Sequence, residues 1–448
     1  MGGQWEGFGV AQALGFLGVG LTVVGLIHLY LWRRLVRSTT EPGLGRRIGT
    51  WLIVALGALL VATLIGSRVL PHSVAAALSW PAYLWLAVMF YLLLTLAALE
   101  LPALIVRVRL DRTAAAERTP VLVGAGAAGP AEPAGPVEPT GLVEPTGPAQ
   151  PSGPAQPSGP AQPIGSAEPD SPSRTSRRLF LARTVAVTAG VASAAIVGSG
   201  VAVAMGPPRL RRVDIPLAKL SRGADGMRIA LVADIHLGPL RGRGHTQRIV
   251  EAINGLDADL VAVVGDLVDG SVAQLGVAAE PLRQLRSRHG AYFVTGNHEY
   301  YSGFQEWVEE VARLGLRPLR NERVELPGGL DLAGVNDITG GSFGDGSDLG
   351  QALAGRDPAR PVVLLAHQPI QAHDAARQGV DLQLSGHTHG GQMVPFNLVV
   401  RLAQQPVVSG LGQVDGMPVY VTNGAGFWGP PVRVGAPPDV TLVRLRAA

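Results

Sequence analysis

Apolar residues run almost without interruption through 10–32, 48–70 and 80–106, and again, less strongly, through 184–205. Each of the first three runs is long enough to cross a hydrocarbon core of ~30 Å as a helix. Three such runs nearly free of charge argue against buried helices of a soluble domain, so they read as membrane spans. Trp51, Trp80, Tyr83 and Trp85 lie near the ends of these runs, where interfacial anchors are expected. His28 and Glu100 are the polar exceptions. His28 reads as an interface residue. Glu100 is a weak functional candidate, because an ionisable group inside a bilayer is costly.

Beyond residue 207 the pattern changes to short apolar runs alternating with amphipathic ones. Strands are predicted at 228–233, 260–264, 291–295, 330–335, 362–366, 382–384, 419–422 and 440–445. Helices are predicted at 245–254, 277–287, 305–314 and 370–378. This alternation implies an α/β domain with a largely buried sheet and helices outside it.

Between these regions, residues 129–170 repeat a six-residue unit such as Gly-Pro-Ala-Glu-Pro-Ala or Gly-Pro-Ala-Gln-Pro-Ser. Such a segment has nothing to bury and favours an extended, polyproline-like spacer on the order of 100 Å long at full stretch. Ser176-Arg177-Arg178-Leu179-Phe180-Leu181 follows, ahead of the fourth apolar run. It resembles a twin-arginine export signal placed inside the chain, and reads equally as a fourth span with basic residues on its cytoplasmic side. Four segments are therefore expected: a membrane region at 1–110, a Pro/Gly-rich linker at 111–175, the twin-arginine-like span at 176–206, and the α/β domain at 207–448.

Charge sets the expected orientation. Arg33, Arg34, Arg37, Arg46 and Arg47 fall between spans one and two, Arg107, Arg109, Arg112 and Arg118 follow span three, and Arg174, Arg177, Arg178 and Arg183 precede span four. Basic loops face the cytoplasm, so the α/β domain is expected on the far side of the cell membrane. Arg209, Arg211 and Arg212, just past span four, oppose that orientation.

Composition removes several classes of function. There is no cysteine, which excludes disulfide scaffolds, thiolate metal sites and thiol catalysis. The net charge is only +3, Lys219 is the single lysine, and no basic stripe carries interleaved aromatics, so no nucleic-acid partner is expected.

The candidate chemistry lies at the strand ends. Asp234-Ile235-His236 follows the first predicted strand, Gly265-Asp266-Leu267-Val268-Asp269 the second, and Gly296-Asn297-His298-Glu299 the third. His367 and Gly386-His387-Thr388-His389 follow two later ones. A lone histidine after a strand signifies little, but five such segments in order place imidazoles and carboxylates where α/β domains build their sites. Mixed imidazole and carboxylate donors suit manganese, iron or zinc. Two such ions a few ångströms apart can clamp a phosphate and activate the water between them.

These segments resemble the signature of the calcineurin-like metallophosphoesterase family, over about residues 226–445. Within it, Asn423-Gly424-Ala425-Gly426 and Trp428-Gly429-Pro430-Pro431 are similar to an exported or membrane-associated bacterial branch, that of the UDP-2,3-diacylglucosamine pyrophosphatase-like enzymes. The resemblance implies a four-layer α/β/β/α sandwich preceded by an all-α transmembrane region. It implies that Asp234, His236 and His389 hold one divalent metal, that Asn297, His367 and His387 hold a second, and that Asp266 bridges them. It makes His298 the group that protonates the leaving oxygen or stabilises the transition state, and Asp269 the carboxylate that orients it; Asp269 could instead serve as a helix cap or turn residue. Glu299 is expected to support the site, and Asn336 and Asp337 either to approach it or to shape a turn. Where protein phosphatases of the family carry an arginine, this chain has Gly270, which weakens a phosphoprotein substrate. Arg222, Arg241, Arg243 and Arg433 remain as candidate phosphate contacts, with Arg241 and Arg243 preferred for their place after the first motif. The implied function is hydrolysis of phosphate mono- or diesters. A lipid-linked or cell-envelope substrate would suit a domain held near the bilayer, with Phe427 and Trp428 as candidate contacts. The alternative is a metal-free scaffold on a degenerate version of the same fold.

Overall fold

The structure is a computed structural model that describes residues 10–66, 72–116, 174–403 and 405–448. The proline repeat lies outside the described residues.

Among the described residues, four helices are long and apolar enough to cross a membrane. They are α1 (Val10–Leu31), α2 (Leu44–Gly66), α3 (His72–Ala116) and α4 (Arg174–Met205). Helix α3 begins ahead of the predicted run at 80, because the Ala-rich turn before Trp80 is helix-favouring although less apolar. His28 is not an interface residue. It is buried, and its Nε2 accepts a hydrogen bond from Trp85 Nε1 at 3.0 Å, which ties α1 to α3. Trp85 is accordingly buried, whereas Trp51 and Trp80 are exposed as anchors would be.

The rest of the chain folds in the order β1 (Arg209–Leu217), β2 (Arg228–Val232), α5 (Arg243–Asn254), β3 (Leu260–Val264), α6 (Val272–Ala279), β4 (Ala291–Val294), α7 (Asn297–Ser302), α8 (Phe304–Arg313), β5 (Leu316–Pro318), β6 (Glu322–Leu326) and β7 (Leu330–Gly334). It continues through α9 (Leu349–Ala352), β8 (Val362–Leu365), α10 (Ala372–Arg377), β9 (Leu382–Ser385), α11 (Phe396–Leu402), β10 (Gly410–Val414), β11 (Met417–Val421) and β12 (Asp439–Ala447). Two six-stranded mixed sheets result, ordered β1-β12-β2-β3-β4-β5 and β10-β11-β9-β8-β7-β6.

Strand alternation builds the layers. Ile229, Leu231, Leu260 and Ala262 from one sheet meet Leu332, Val363, Leu365 and Leu384 from the other in a central core. The intervening side chains, among them Ala230, Val232, Val261 and Val263, face outward against Ile249, Leu275, Trp307 and Val311 of the covering helices. The second sheet is covered on its outer face by α9 and α10 through Leu349, Ala352, Ala372 and Ala375. This is the expected α/β/β/α sandwich.

Two differences have clear causes. Arg209, Arg211 and Arg212 belong to the edge strand β1, parallel to β12, and Arg211 pairs with Asp439 at 3.0 Å. They are surface charges of the folded domain, which explains why they oppose the loop-charge pattern. The helix predicted at 277–287 is instead α6 followed by a short 3-10 turn, Glu280–Gln284, since Pro281 cannot supply the amide an α-helix would need there.

Candidate metal centre

The parallel strands β2, β3 and β4 of one sheet and β8 and β9 of the other all end at the same edge of the sandwich. The loops that leave them carry Asp234 and His236, Asp266 and Asp269, Asn297 and His298, His367, and His387 and His389. Of the nine non-glycine residues with positive φ among the described residues, five are Asp234, His236, Asp266, His387 and His389, with φ between 49° and 71°. That region costs a non-glycine residue of order 1–3 kcal/mol and persists only where the surroundings impose it. Here the strained turns aim the side chains inward. Gly265, at φ 75°, allows the closest approach: a Cβ there would stand 2.6 Å from the Gly296 nitrogen and from His367 Nδ1.

The convergent atoms fall into overlapping groups. Asp234, His236 and His389 bring one donor atom each within 4.8 Å of the others, as do Asp266, His367 and His387. His389 Nε2 lies 3.0 Å from His236 Nε2 and 3.5 Å from Asp234 Oδ1. Asn297 Oδ1 is 3.0 Å from His387 Nδ1. Asp266 Oδ2, of the second group, lies 3.1 Å from His367 Nε2 and reaches toward the first, 3.7 Å from His236 Nε2, with which and His298 it forms a third such group.

These donors fit divalent cations. With metal–ligand bonds of ~2.1 Å, neighbouring ligands on one ion stand roughly 3–3.5 Å apart, as these do. His367 Nδ1 lies 2.9 Å from the Val264 carbonyl, which can only accept, so the ring proton sits there and Nε2 is left with its lone pair. Nε2 is buried and makes no hydrogen bond in spite of its nearness to Asp266. A ligating histidine held through its other nitrogen by a carbonyl or carboxylate is the usual arrangement around metals, and His236 repeats it, with Nδ1 2.9 Å from Asp269 Oδ1.

The electrostatics agree. Asp234, Asp266, Asp269 and Glu299 are gathered at one edge, and burial is the largest influence on each. Burial, with the Asp266 charge added, pushes Asp234 and Glu299 up to about 7. A buried surplus of carboxylates is a favourable place for cations. His298 behaves differently. Burial lowers it, but the charges of Asp266, Asp269 and Glu299 and the Asp269 hydrogen bond outweigh burial and raise it to about 9.

The supporting residues are better defined than sequence allowed. Asp269 is not a helix cap: its Oδ1 is shared between His236 Nδ1 and His298 Nδ1, the latter at 2.7 Å. The fully buried Glu299 accepts from the amides of Asp266, Leu267 and Gly296 at 2.9, 2.7 and 2.6 Å, locking two strand-end loops together. Asp337 caps a 3-10 turn through the Thr339 amide, and Asn336 bonds to Asp345, so both shape the neighbouring loop.

The arginine candidates are redistributed. Arg241 is buried, with its guanidinium 3.5 Å from the centre of the Phe427 ring and its Nε donating to the His236 carbonyl at 2.8 Å. Arg433 is buried behind His389, donating to its carbonyl at 2.8 Å. These two arginines therefore brace the loops. Arg243 is exposed and reaches the Val277 carbonyl, and Arg222 is exposed on a 3-10 turn. Phe427 is core, whereas Trp428 is 58% exposed with its ring 6.0 Å from that of His298.

Tyr83, read from the sequence as an interfacial anchor, is half-buried on α3, within electrostatic reach of the Asp269 carboxylate. The same helix touches the α/β part again where Tyr91 donates to the Val394 carbonyl at 3.0 Å and where Leu84, Val88 and Tyr91 pack near Met393 and Val432.

A model of the calcineurin-like phosphoesterase family matches residues 227–391. The chain is 39% identical over 275 residues to a transmembrane protein with metallophosphoesterase domain from Danio rerio, covering 58% of this chain and 63% of that one. It is 39% identical over 241 residues to an uncharacterized metallophosphoesterase of Helicobacter pylori, covering 53% of this chain and 64% of the relative. It thus spans a little under two thirds of the length of these two relatives. An uncharacterized metallophosphoesterase of Aquifex aeolicus is 32% identical over 241 residues and is covered to 92% of its length, against 53% of this chain. With the family model lying across the strand-end motifs and a relative matched over nearly all its length, this chain belongs to the calcineurin-like metallophosphoesterase family.

Proposed function

We propose that the protein is a membrane-anchored, metal-dependent phosphoesterase that uses two divalent ions, manganese, iron or zinc, on a lipid-linked or cell-envelope phosphoester. The observation that carries this reading is the shared Asp266 oxygen, which stands between two sets of imidazole and carboxylate or amide donors supplied by five strand ends. Asp234, His236 and His389 would hold one ion and Asn297, His367 and His387 the other, with Asp266 shared between them. When bound, the ions supply charge neutralisation at the phosphoryl oxygens and a water acidic enough to attack. The protein's own groups do the rest. Asp269 keeps the His298 proton on Nδ1 in the neutral ring and favours the doubly protonated form, so that Nε2 can give a proton to the leaving oxygen. Asp269 also holds His236, so one carboxylate sets both a ligand and the acid.

The membrane part of the reading rests on four apolar helices and on the basic loops between them, a charge pattern that supports an α/β domain outside the cytoplasm. In this arrangement 1–110 and 176–206 are the anchor, 111–175 a cytoplasmic spacer and 207–448 the hydrolase, with Arg177-Arg178 as an internal export signal. An amphiphilic substrate is supported by the exposed Trp428 beside His298 and by Tyr83 of α3 near Asp269. A nucleotide-sugar-linked lipid, as the Trp428–Pro431 segment suggests, belongs to this class.

The test joins metal content to turnover. The purified protein should carry about two transition-metal equivalents per chain and hydrolyse a chromogenic phosphodiester, with Asp266→Ala losing both metal and activity. His298→Ala should keep the metal and lose roughly 10²–10⁴-fold in kcat. A protein that binds no metal and turns over no phosphoester would be the scaffold instead, and this reading would be wrong.

A further inference from the structure

The contacts that hold His389 lead back to the apolar helices. It lies in the turn His389–Gly391 with φ 52°, and Gln392 after it has φ 51°. Such a conformation persists in a non-glycine residue only where its surroundings impose it. Two neighbours do so here. Arg433, 1% exposed, donates from Nη1 to the His389 carbonyl at 2.8 Å, and its Nη2 stands 3.1 Å from His389 Nδ1. The backbone beyond the turn pairs with the backbone beyond Arg433. Val434 N donates to the Gln392 carbonyl at 2.9 Å, and Val394 N donates to the Val434 carbonyl at 3.0 Å.

Each of these two segments is tied to one of the long helices. Tyr91 of α3 donates to the Val394 carbonyl at 3.0 Å. The Arg433 amide donates to the carbonyl of Gly200 on α4, also at 3.0 Å. Between them the fully buried Val432 packs in one cluster with Ala87, Tyr91 and Val197. Gly200 sets how closely α4 comes. A Cβ there would stand 2.6 Å from Val432 Cγ1 and 2.9 Å from Val434 Cγ2, nearer than side chains approach one another. A helix carbonyl accepts a bond from outside its own helix only where side chains leave room, as small residues do at the contacts of membrane helices. Gly190 and Gly198, on the same helix, face open space instead. By contrast, His367 of the other donor set is held from within the sheets, by the Val264 carbonyl at 2.9 Å.

We propose that Gly200 and Tyr91 are positioning residues of the metal centre. Docked on α4 and α3, the segments 432–434 and 392–394 keep His389 where it meets Asp234 and His236. One of the two metal sites is then complete only with those helices in place, and the other is independent of them. This inference rests on the reading of His389 as a metal ligand.

The experiment is cobalt(II) titration of the metal-stripped, full-length protein, followed by d–d absorbance. Wild type should take up about two equivalents. Gly200→Leu should weaken one site by about 10–100-fold and leave the other within about twofold. Gly198→Leu, which adds the same bulk to the same helix where there is space, should leave both sites unchanged. His389→Ala should weaken the site that Gly200→Leu weakens. The double variant Gly200→Leu/His389→Ala should lose no more affinity than His389→Ala alone, because Gly200 acts through that residue. Should Gly200→Leu fail to fold, Tyr91→Phe decides, since it removes only a hydroxyl; its expected loss is roughly three- to tenfold at one site. Unchanged affinity in the folded variant would overturn the proposal. So would equal losses in Gly200→Leu and Gly198→Leu, or losses that add in the double variant. Wild-type protein that takes up no metal would fail one step earlier, at the reading of His389 as a ligand, and would take this inference with it.

Discussion

At the scale of single residues, Asp269 is the most informative side chain outside the proposed ligand set, because its Oδ1 touches both His236 and His298. Sequence placed it two residues after Leu267 and left open whether it orients a histidine or shapes a turn; only the closed fold shows it doing the former for two rings. Its removal should therefore differ from removal of either partner. Asp269→Asn should lower metal affinity about 10–100-fold, through the loosened His236, and also lower kcat, through the misoriented His298. His298→Ala should lower kcat alone. Metal titration alongside turnover distinguishes the two, and equal metal affinity in both variants would show that the His236 contact carries no weight. Glu299 is the second such case. Its carboxylate accepts three amides, so Glu299→Gln turns at least one acceptor into a donor facing an N–H. The expected cost is about 1–3 kcal/mol in denaturant unfolding, with the Asp266 loop loosened. No periodicity marks a glutamate for this role; its spacing of three from Gly296, at the start of α7, is the only local sign.

At the scale of elements, the legible parts were those in which apolar runs are continuous. β2, β3, β4, β7, β8, β9, β11 and β12 lie within a few residues of the predicted strands because both of their faces are buried. The missed elements lack that signal. β1 is an edge strand bearing arginines, and β10 is glycine-rich, although the Asp415-Gly416 pair that joins it to β11, with φ of 49° and 83°, is a recognisable hairpin turn. α7 starts directly on Asn297, too short for helical periodicity to appear. The site was readable for a related reason. Its residues sit in the turns just after buried strands, so placing the strands placed the ligands, whereas Arg241 and Arg433 looked like phosphate contacts because their burial depends on Phe427 and His389 from distant loops. The turns themselves give a prediction. Gly265→Ala puts a Cβ at 2.6 Å from Gly296 and His367 in a left-handed conformation. Strain and overpacking together should cost about 2–4 kcal/mol. A variant as stable as wild type would mean that the β3 and β4 loops are not held as closely as they are here.

At the scale of the whole molecule, the question is why a hydrolase should be built against its own membrane helices and not merely tethered to them. Helix α3 has 45 residues, roughly 67 Å at 1.5 Å per residue, about twice the thickness of a hydrocarbon core. Tyr83 and Tyr91 lie in the first half of this helix, within its apolar run, and it is around Tyr91 that the helix meets the α/β domain. Exposed apolar side chains also lie on α11, just past Val394, at Phe396, Leu398, Val399 and Leu402, and Trp428 is exposed beside His298. Apolar surface at these places suits the proposed substrate, whose phosphoester is held at the membrane surface while its acyl part stays in lipid. A small soluble ester would gain nothing from it. Tyr83→Ala and Trp428→Ala, made in the full chain, should therefore lower kcat/KM for a phosphoester lipid in mixed micelles by about tenfold or more each, on the order of 1.4 kcal/mol. Both should leave hydrolysis of a nitrophenyl phosphoester within about twofold, since neither residue touches the Asp266 or His298 groups through a hydrogen bond. Equal losses on both substrates would mean that these aromatics support the centre and do not select what reaches it, and the lipid-linked substrate would lose its main structural support.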